Sequence, residues 1–158
     1  MPHGFAGSYA RQPDMVVNTR PAAETIPFGL PLKYDGTGRV APMGVGDAAN
    51  VFVGVAAREI KSALSYLDQS AGAYAPGEAV SVFMRGAVNV KCQKGTPQLG
   101  GAVFVRTAAN ESFPTASAGG FEAEADGSNT IQLTGCQWAG PADADSVAEL
   151  RILTMQSA

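Results

Sequence analysis

Short alternating runs of apolar and polar residues, separated by glycine and proline, set the character of this chain. The clearest lie between Ala73 and Thr107, AYAPGEAVSVFMRGAVNVKCQKGTPQLGGAVFVRT. Val80, Val82 and Met84 alternate with Ala79, Ser81 and Phe83, and Val88 and Val90 alternate with Asn89 and Lys91. A period of two places successive side chains on opposite faces of a sheet, so both runs predict strands. Arg85-Gly86 between them predicts a hairpin turn, because glycine reaches positive φ without steric cost. A two-residue loop would pair Phe83 with Val88; a three-residue loop would pair Met84 with Val88 and Val82 with Val90. A third strand is expected over Ala102–Arg106, completing an antiparallel meander.

The same punctuation runs through most of the chain. Ile26 to Tyr34 is extended, with Pro27 and Pro31 suited to an edge or a bulge. Asp35-Gly36-Thr37-Gly38 is a hairpin signal leading into Arg39-Val40-Ala41. Asn50 to Ala56 predicts a strand with Val51, Val53 and Val55 on one face. In residues 58–72, Ile60, Ala63, Leu64 and Leu67 fall at i, i+3, i+4 and i+7, which fits a short helix as well as an irregular loop. After Thr107 a polar loop leads to Gly120–Ala125, then to strands over Asn129–Thr134 and Cys136–Ala139. A Gly140-Pro141-Ala142-Asp143 turn precedes a closing strand, Val147–Thr154, with Ala148, Leu150 and Ile152 facing one way and Glu149 and Arg151 the other. Turn signals every 8–12 residues with short alternating strands predict a mainly β chain. The expected fold is a single compact antiparallel β-sandwich or barrel, jelly-roll or β-tulip like, over residues 25–158.

Residues 1–24 read differently. They mix Pro2, Gly4, Gly7, Pro13 and Pro21 with polar residues and hold neither helical nor strand period over any length. The expectation is an extended N-terminal arm without a core of its own. Its scattered anchors Phe5, Tyr9, Met15 and Val17 favour docking on a partner over a free tail.

Composition narrows the function classes. Of 158 residues 46% are apolar, enough for a packed core, while only 16% are charged, so little of the surface is strongly polar. A surface with so few charges is often one that another protein covers. The net charge of −3 argues against a nucleic-acid groove, where a basic stripe is expected. No apolar run reaches the ~18 residues of a membrane span, and MPHGFAGSYARQPD has no stretch of signal-peptide length, so a non-exported chain is expected. In that setting Cys92 and Cys136 read as two small buried thiols.

Candidate chemistry is sparse. His3, the sole histidine, lies near the N-terminus, where no rigid nucleophile–base pair can be built around it. One histidine and two distant cysteines match no zinc spacing. Glu122, Glu124 and Asp126, and the pair Asp143 and Asp145, could offer oxygens to a hard cation, but they read first as a solvated strand face and an acidic turn. Gly44-Val45-Gly46 lacks the third glycine of a dinucleotide loop and reads as a turn. No catalytic, cofactor-binding or metal-binding residue is assigned.

The order of segments resembles the head-decoration, or structural cement, proteins of tailed bacteriophages. The likeness rests on FAGSYA, AETIPFGLPLKY, NVFVGVAAR, AYAPGEAVSVFMRGAVNV, GGAVFVRT and GGFEAEADGSNTIQLTGCQWAG, ending in AELRI. It covers about residues 25–155, with the arm matching in character. It implies a small β-domain made in the host cytoplasm and carried on the outer surface of the virion capsid. There it would bridge neighbouring major capsid proteins as a homodimer or homotrimer on a symmetry axis, with Phe5, Tyr9, Met15 and Val17 as capsid contacts. No cofactor, nucleic acid or membrane is implied. Two other classes fit less well. A receptor- or carbohydrate-binding module needs an exposed aromatic platform, and Trp138 reads equally as core. An enzyme on a β-barrel needs converging polar groups.

Overall fold

The computed structural model describes residues 4–10, 14–59 and 72–153. Nearly all of its regular structure is β, as the alternation predicts. The strands are β1 (Val16–Pro21), β2 (Ile26–Pro27), β3 (Pro31–Tyr34), β4 (Val40–Pro42), β5 (Gly54–Ala56) and β6 (Ala73–Tyr74) in the first half. The second half holds β7 (Ala79–Lys91), β8 (Ala102–Arg106), β9 (Phe121–Glu122), β10 (Thr130–Trp138) and β11 (Val147–Ile152). Eight strands run in the order β4-β3-β5-β7-β11-β10-β8-β9, with β1 also paired to β7 and β2-β6 a separate ribbon. Every strand pairing is antiparallel, and the sheet curls into a half-barrel. No helix among the described residues is long and apolar enough to cross a membrane.

The expected hairpin at Arg85-Gly86 is absent. β7 is one strand of 13 residues that passes straight through Gly86. Its first half pairs with β1 (Asn18↔Val82, Arg20↔Val80) and β5 (Val55↔Phe83). Its second half pairs with β11, Leu150 opposite Val88 and Ala148 opposite Val90. β8 accordingly pairs with β9 and β10, so the expected meander does not form. The glycine has a different task. Val80 and Val82 belong to one core cluster, whereas Phe83, Val88 and Val90 belong to the other. Strict alternation would put Val88 and Val90 on the face of Val80 and Val82. A register shift opposite Val16 and Val17, with Gly86 at φ +109°, inverts the phase, as a β-bulge does. A Cβ on Gly86 would also collide with the carbonyl oxygen of Asp14.

Other elements lie where the pattern places them, with changed ends. The Asp35–Gly38 turn joins β3 to β4 in the register Tyr34↔Val40. Asp35 Oδ1 accepts the backbone N–H of Thr37 at 2.8 Å and of Arg39 at 3.1 Å. Those bonds, the Thr37 one foremost, hold the Asp35 carboxyl down at about 2. Within the strand expected over 50–56, Ala49–Val51 is a single 3₁₀ turn and only Gly54–Ala56 is strand. A side chain at Gly54 would strike the Phe83 carbonyl, which explains a glycine inside a strand. The two runs at 129–139 are one strand, β10, and the Gly120–Ala125 run shortens to β9. The 58–72 stretch falls almost wholly outside the described residues, as do His3 and Thr154.

The core has two parts joined by β7. The larger gathers Phe83, Val88, Val90, Val105, Trp138 and Leu150 among others, and the smaller holds Ile26, Phe28, Leu32, Tyr74, Val80 and Val82. Tyr74 serves both packing and polarity: its ring meets Phe28 edge-on, and its hydroxyl donates to the Ala57 carbonyl at 2.5 Å.

Candidate interaction surface

The N-terminal segment lies along the second half of β7. Gly7 N–H donates to the Asn89 carbonyl at 2.6 Å, Asn89 N–H to Ser8 at 2.8 Å, and Ala10 N–H to Ala87 at 3.1 Å. With β1 it forms a discontinuous edge over nearly the whole length of β7. The close approach requires glycine: a Cβ at Gly7 would lie 2.8 Å from Ala56 O and 2.9 Å from the nitrogens of Arg58 and Gly29.

The four anchors do not share one environment. Met15 and Val17 are half-buried against the larger core cluster. Tyr9 packs there too, with its ring 5.5 Å from that of Phe83, and its hydroxyl donates to Glu59 Oε1 at 3.0 Å. Burial and then the Glu59 carboxylate push the Tyr9 phenol up to about 12. Phe5 stands out, 67% exposed. The Arg58 guanidinium lies 4.5 Å from the Phe5 ring centre and 5.5 Å from that of Phe28, bridging the segment to the domain. Sequence reasoning did not single out Arg58 or Glu59; both open the ambiguous stretch 58–72, and neither stands at a patterned position.

Beside this segment a cavity of about 330 Å³ opens between Ala6, Phe28 and Leu30 on one side and Lys91, Gln93 and Ser117 on the other. Its lining mixes apolar, amide and hydroxyl groups, with no titratable pair set for acid–base work. At the neighbouring loop, Lys94 pairs with Glu124 and lies 4.2 Å from the Phe113 ring centre.

The acidic run corrects a sequence expectation. Glu122 is not on a solvated face; it is fully buried and bound at both oxygens by Arg106, Nε at 2.6 Å and Nη2 at 2.8 Å. Arg106 Nη1 reaches Asp126 Oδ2 at 2.8 Å, and Asn110 donates to the same carboxylate. Asn110 and then Arg106 lower the Asp126 pKa, while Glu122 foremost raises that of Arg106. Glu124 remains exposed. The three acids therefore divide between a buried ion-pair cluster and a surface pair with Lys94. Asp143 Oδ1 accepts the N–H groups of Asp145 and Val147, a turn as expected. Gly44–Asp47 is likewise a turn, closed by Asp47 N–H to Gly44 O at 3.3 Å.

Cys92 and Cys136 are free and buried, and burial raises both thiols, Cys136 to about 12. Thiols so raised stay protonated and serve as small apolar side chains. Trp138 lies in the core, 1% exposed. Among the described residues no group of three or more His, Cys, Asp or Glu is placed to hold a metal ion.

Comparison with known proteins gives this surface its context. No curated protein matches the chain. Among solved structures, a chain of the capsid of Myoviridae phage XM1 superposes with a TM-score of 0.71 at 14% identity, covering 98% of this chain and 93% of that one. At that identity the likeness is one of fold. A family model described as structural cement protein (E217 gp24/Pam3 gp6) matches residues 1–153. A match over so much of the chain, with the half-barrel it accompanies, places this protein in the phage structural cement protein family.

Proposed function

We propose that this chain decorates the outer surface of a phage head and bridges neighbouring major capsid proteins. Membership of the family makes it a structural component of the virion capsid with a stabilising role. The bridging geometry, a homodimeric or homotrimeric state on a symmetry axis, and the absence of any catalytic step are our reading of that role. The match over residues 1–153 carries the reading. The low charge and the buried Arg106 cluster support it, since they leave a largely uncharged surface on a domain that holds itself together. A clamp that binds the assembled shell and not its separated subunits stabilises the shell by mass action. Several such contacts per oligomer multiply the effect.

The docking role of the arm is also part of this proposal, in a narrower form. Tyr9, Met15 and Val17 are engaged with the chain's own core, so Phe5 is the anchor offered to a partner. Particles carrying the protein should release DNA at a higher temperature than particles lacking it. Equal release temperatures at full occupancy would overturn the proposal.

A further inference from the structure

Five β-turns in the described residues share one construction. Residues 5–8, 44–47, 75–78, 98–101 and 117–120 each close a hydrogen bond from the fourth N–H to the first carbonyl, 2.8–3.3 Å long. Each has glycine third, with φ between +77° and +88°, the type II pattern. That pattern demands glycine at the third position and asks only for φ near −60° at the second, where proline is favoured and alanine is tolerated. Three of the five follow suit, with Ala6, Pro76 and Ala118 in second place. The other two carry Val45 and Leu99.

Turn geometry therefore does not account for Val45 and Leu99, and neither does the core. Leu99 is 83% exposed and Val45 77%, the highest values among the large apolar residues described. A Cβ placed on Gly44, Gly46 or Gly100 would meet nothing within 4 Å, so both tips stand clear of the domain. No charged residue occurs in 96–101, and the one charge in 44–47, Asp47, is paired with Lys33 Nζ at 2.7 Å. The tips are fixed at opposite ends of β8. Gly46 N–H donates to the Thr107 carbonyl at 3.0 Å, just past its C-terminal end, and Gly100 N–H to the Trp138 carbonyl at 2.8 Å, beside its start. Six residue steps, from Gly101 to Thr107, separate the two anchorages by about 20 Å.

We propose that Val45 and Leu99 are two points, additional to Phe5, by which the protein spans the shell, each seating in an apolar recess of a different capsid subunit. The inference rests on the cement reading above and adds the residues that make the bridge. Two aliphatic tips on separate turns, each closed by its own hydrogen bond, suit two separate recesses better than one continuous groove. Engaging both from one domain makes the second contact intramolecular, so the two losses should multiply.

The test is a titration of Val45→Ser, Leu99→Ser and the double variant onto shells lacking the protein, with Pro76→Ser as a control at the same turn position. Each single variant should raise the half-saturating concentration by about tenfold, and the double by about a hundredfold. Melting temperature and oligomeric mass should stay as in the unsubstituted protein, and Pro76→Ser should bind within about twofold of it. Binding of the double variant within that same margin would overturn the inference alone. A changed oligomeric mass would overturn it too, by making the tips contacts between copies of this chain. Failure of the unsubstituted protein to bind shells would overturn the cement reading and this inference with it.

Discussion

Two arginines in this domain hold two parts of the chain in opposite ways. Arg106 is fully buried on β8 and bonded to both oxygens of an equally buried Glu122 and to Asp126. Arg58 is exposed, its guanidinium over the rings of Phe5 and Phe28, its backbone N–H donating to the Gly7 carbonyl at 2.6 Å. In the first case two charges have left water and depend on each other. In the second, solvent remains as an alternative partner, and a cation over a ring at an exposed site contributes about 0.5–1 kcal/mol. The difference separates what the fold cannot lose from what it can release. The β8–β9 side is locked by desolvated charge, while the N-terminal segment is held by weak contacts and a few backbone bonds.

Removing one arginine at a time breaks this comparison most directly. Arg106→Met should lower stability by about 3–5 kcal/mol, because Glu122 would remain buried with Gln93 as its nearest remaining donor, at 2.9 Å. Denaturant unfolding measures it, and Glu122→Gln in the same background should recover part of the loss. A change below about 1 kcal/mol would mean that water reaches the site. Next in size is Gly86→Val, which should lower stability by about 2–4 kcal/mol. It forces a β-branched residue to φ +109° and drives Cβ into Asp14 at the junction of the N-terminal segment and β1. An unchanged melting temperature would show that β7 accommodates the bulge without glycine.

Gly86 also marks where the sequence stops being legible. Alternation located β8 and β11, the Asp35–Gly38 signal located the β3–β4 hairpin, and Cys92 and Cys136 read as buried thiols, while Trp138 read equally as core or as an exposed platform. Each depends on chemistry within a few residues. A glycine that inverts the phase of a strand leaves the same local trace as one that ends it, and only the partners decide. Those partners, residues 7–10 and 147–152, lie far away in sequence. Arg106 and Glu122 are 16 positions apart, and Glu122, Glu124 and Asp126 alternate like a solvated face, so nothing local shows the pair. Phe5, Tyr9, Met15 and Val17 were read as anchors for a partner, and nothing local shows that the chain's own core packs against the last three.

On the weaker side, Arg58→Ala should lower global stability by only about 0.5–1 kcal/mol. Its larger mark should be local, as faster amide exchange at Gly7 and Ala10 than in the unsubstituted protein, with the β8 amides unchanged. Equal acceleration on β8 would mean that the segment and the body open as one unit.

Tyr9 offers the smallest and most selective change, because its hydrogen bond can be removed by mutation or by pH. Tyr9→Phe keeps the ring against Phe83 and loses the bond to Glu59, which should lower stability by about 0.5 kcal/mol at neutral pH. The folded phenol is raised from its ordinary 10.0 to about 12. A group raised on folding contributes fully below its unfolded value and loses that contribution as pH rises through the folded one. The advantage of tyrosine over phenylalanine should therefore be complete below pH 10, shrink above it and reverse as pH approaches about 12. The raised phenol of Tyr74 is common to both proteins and cancels in the difference. Paired melting curves across that range measure the effect. A gap that stays constant to pH 12 would mean that the Tyr9 hydroxyl is bonded to water, not to Glu59, and that the segment is held by its backbone and Arg58 alone.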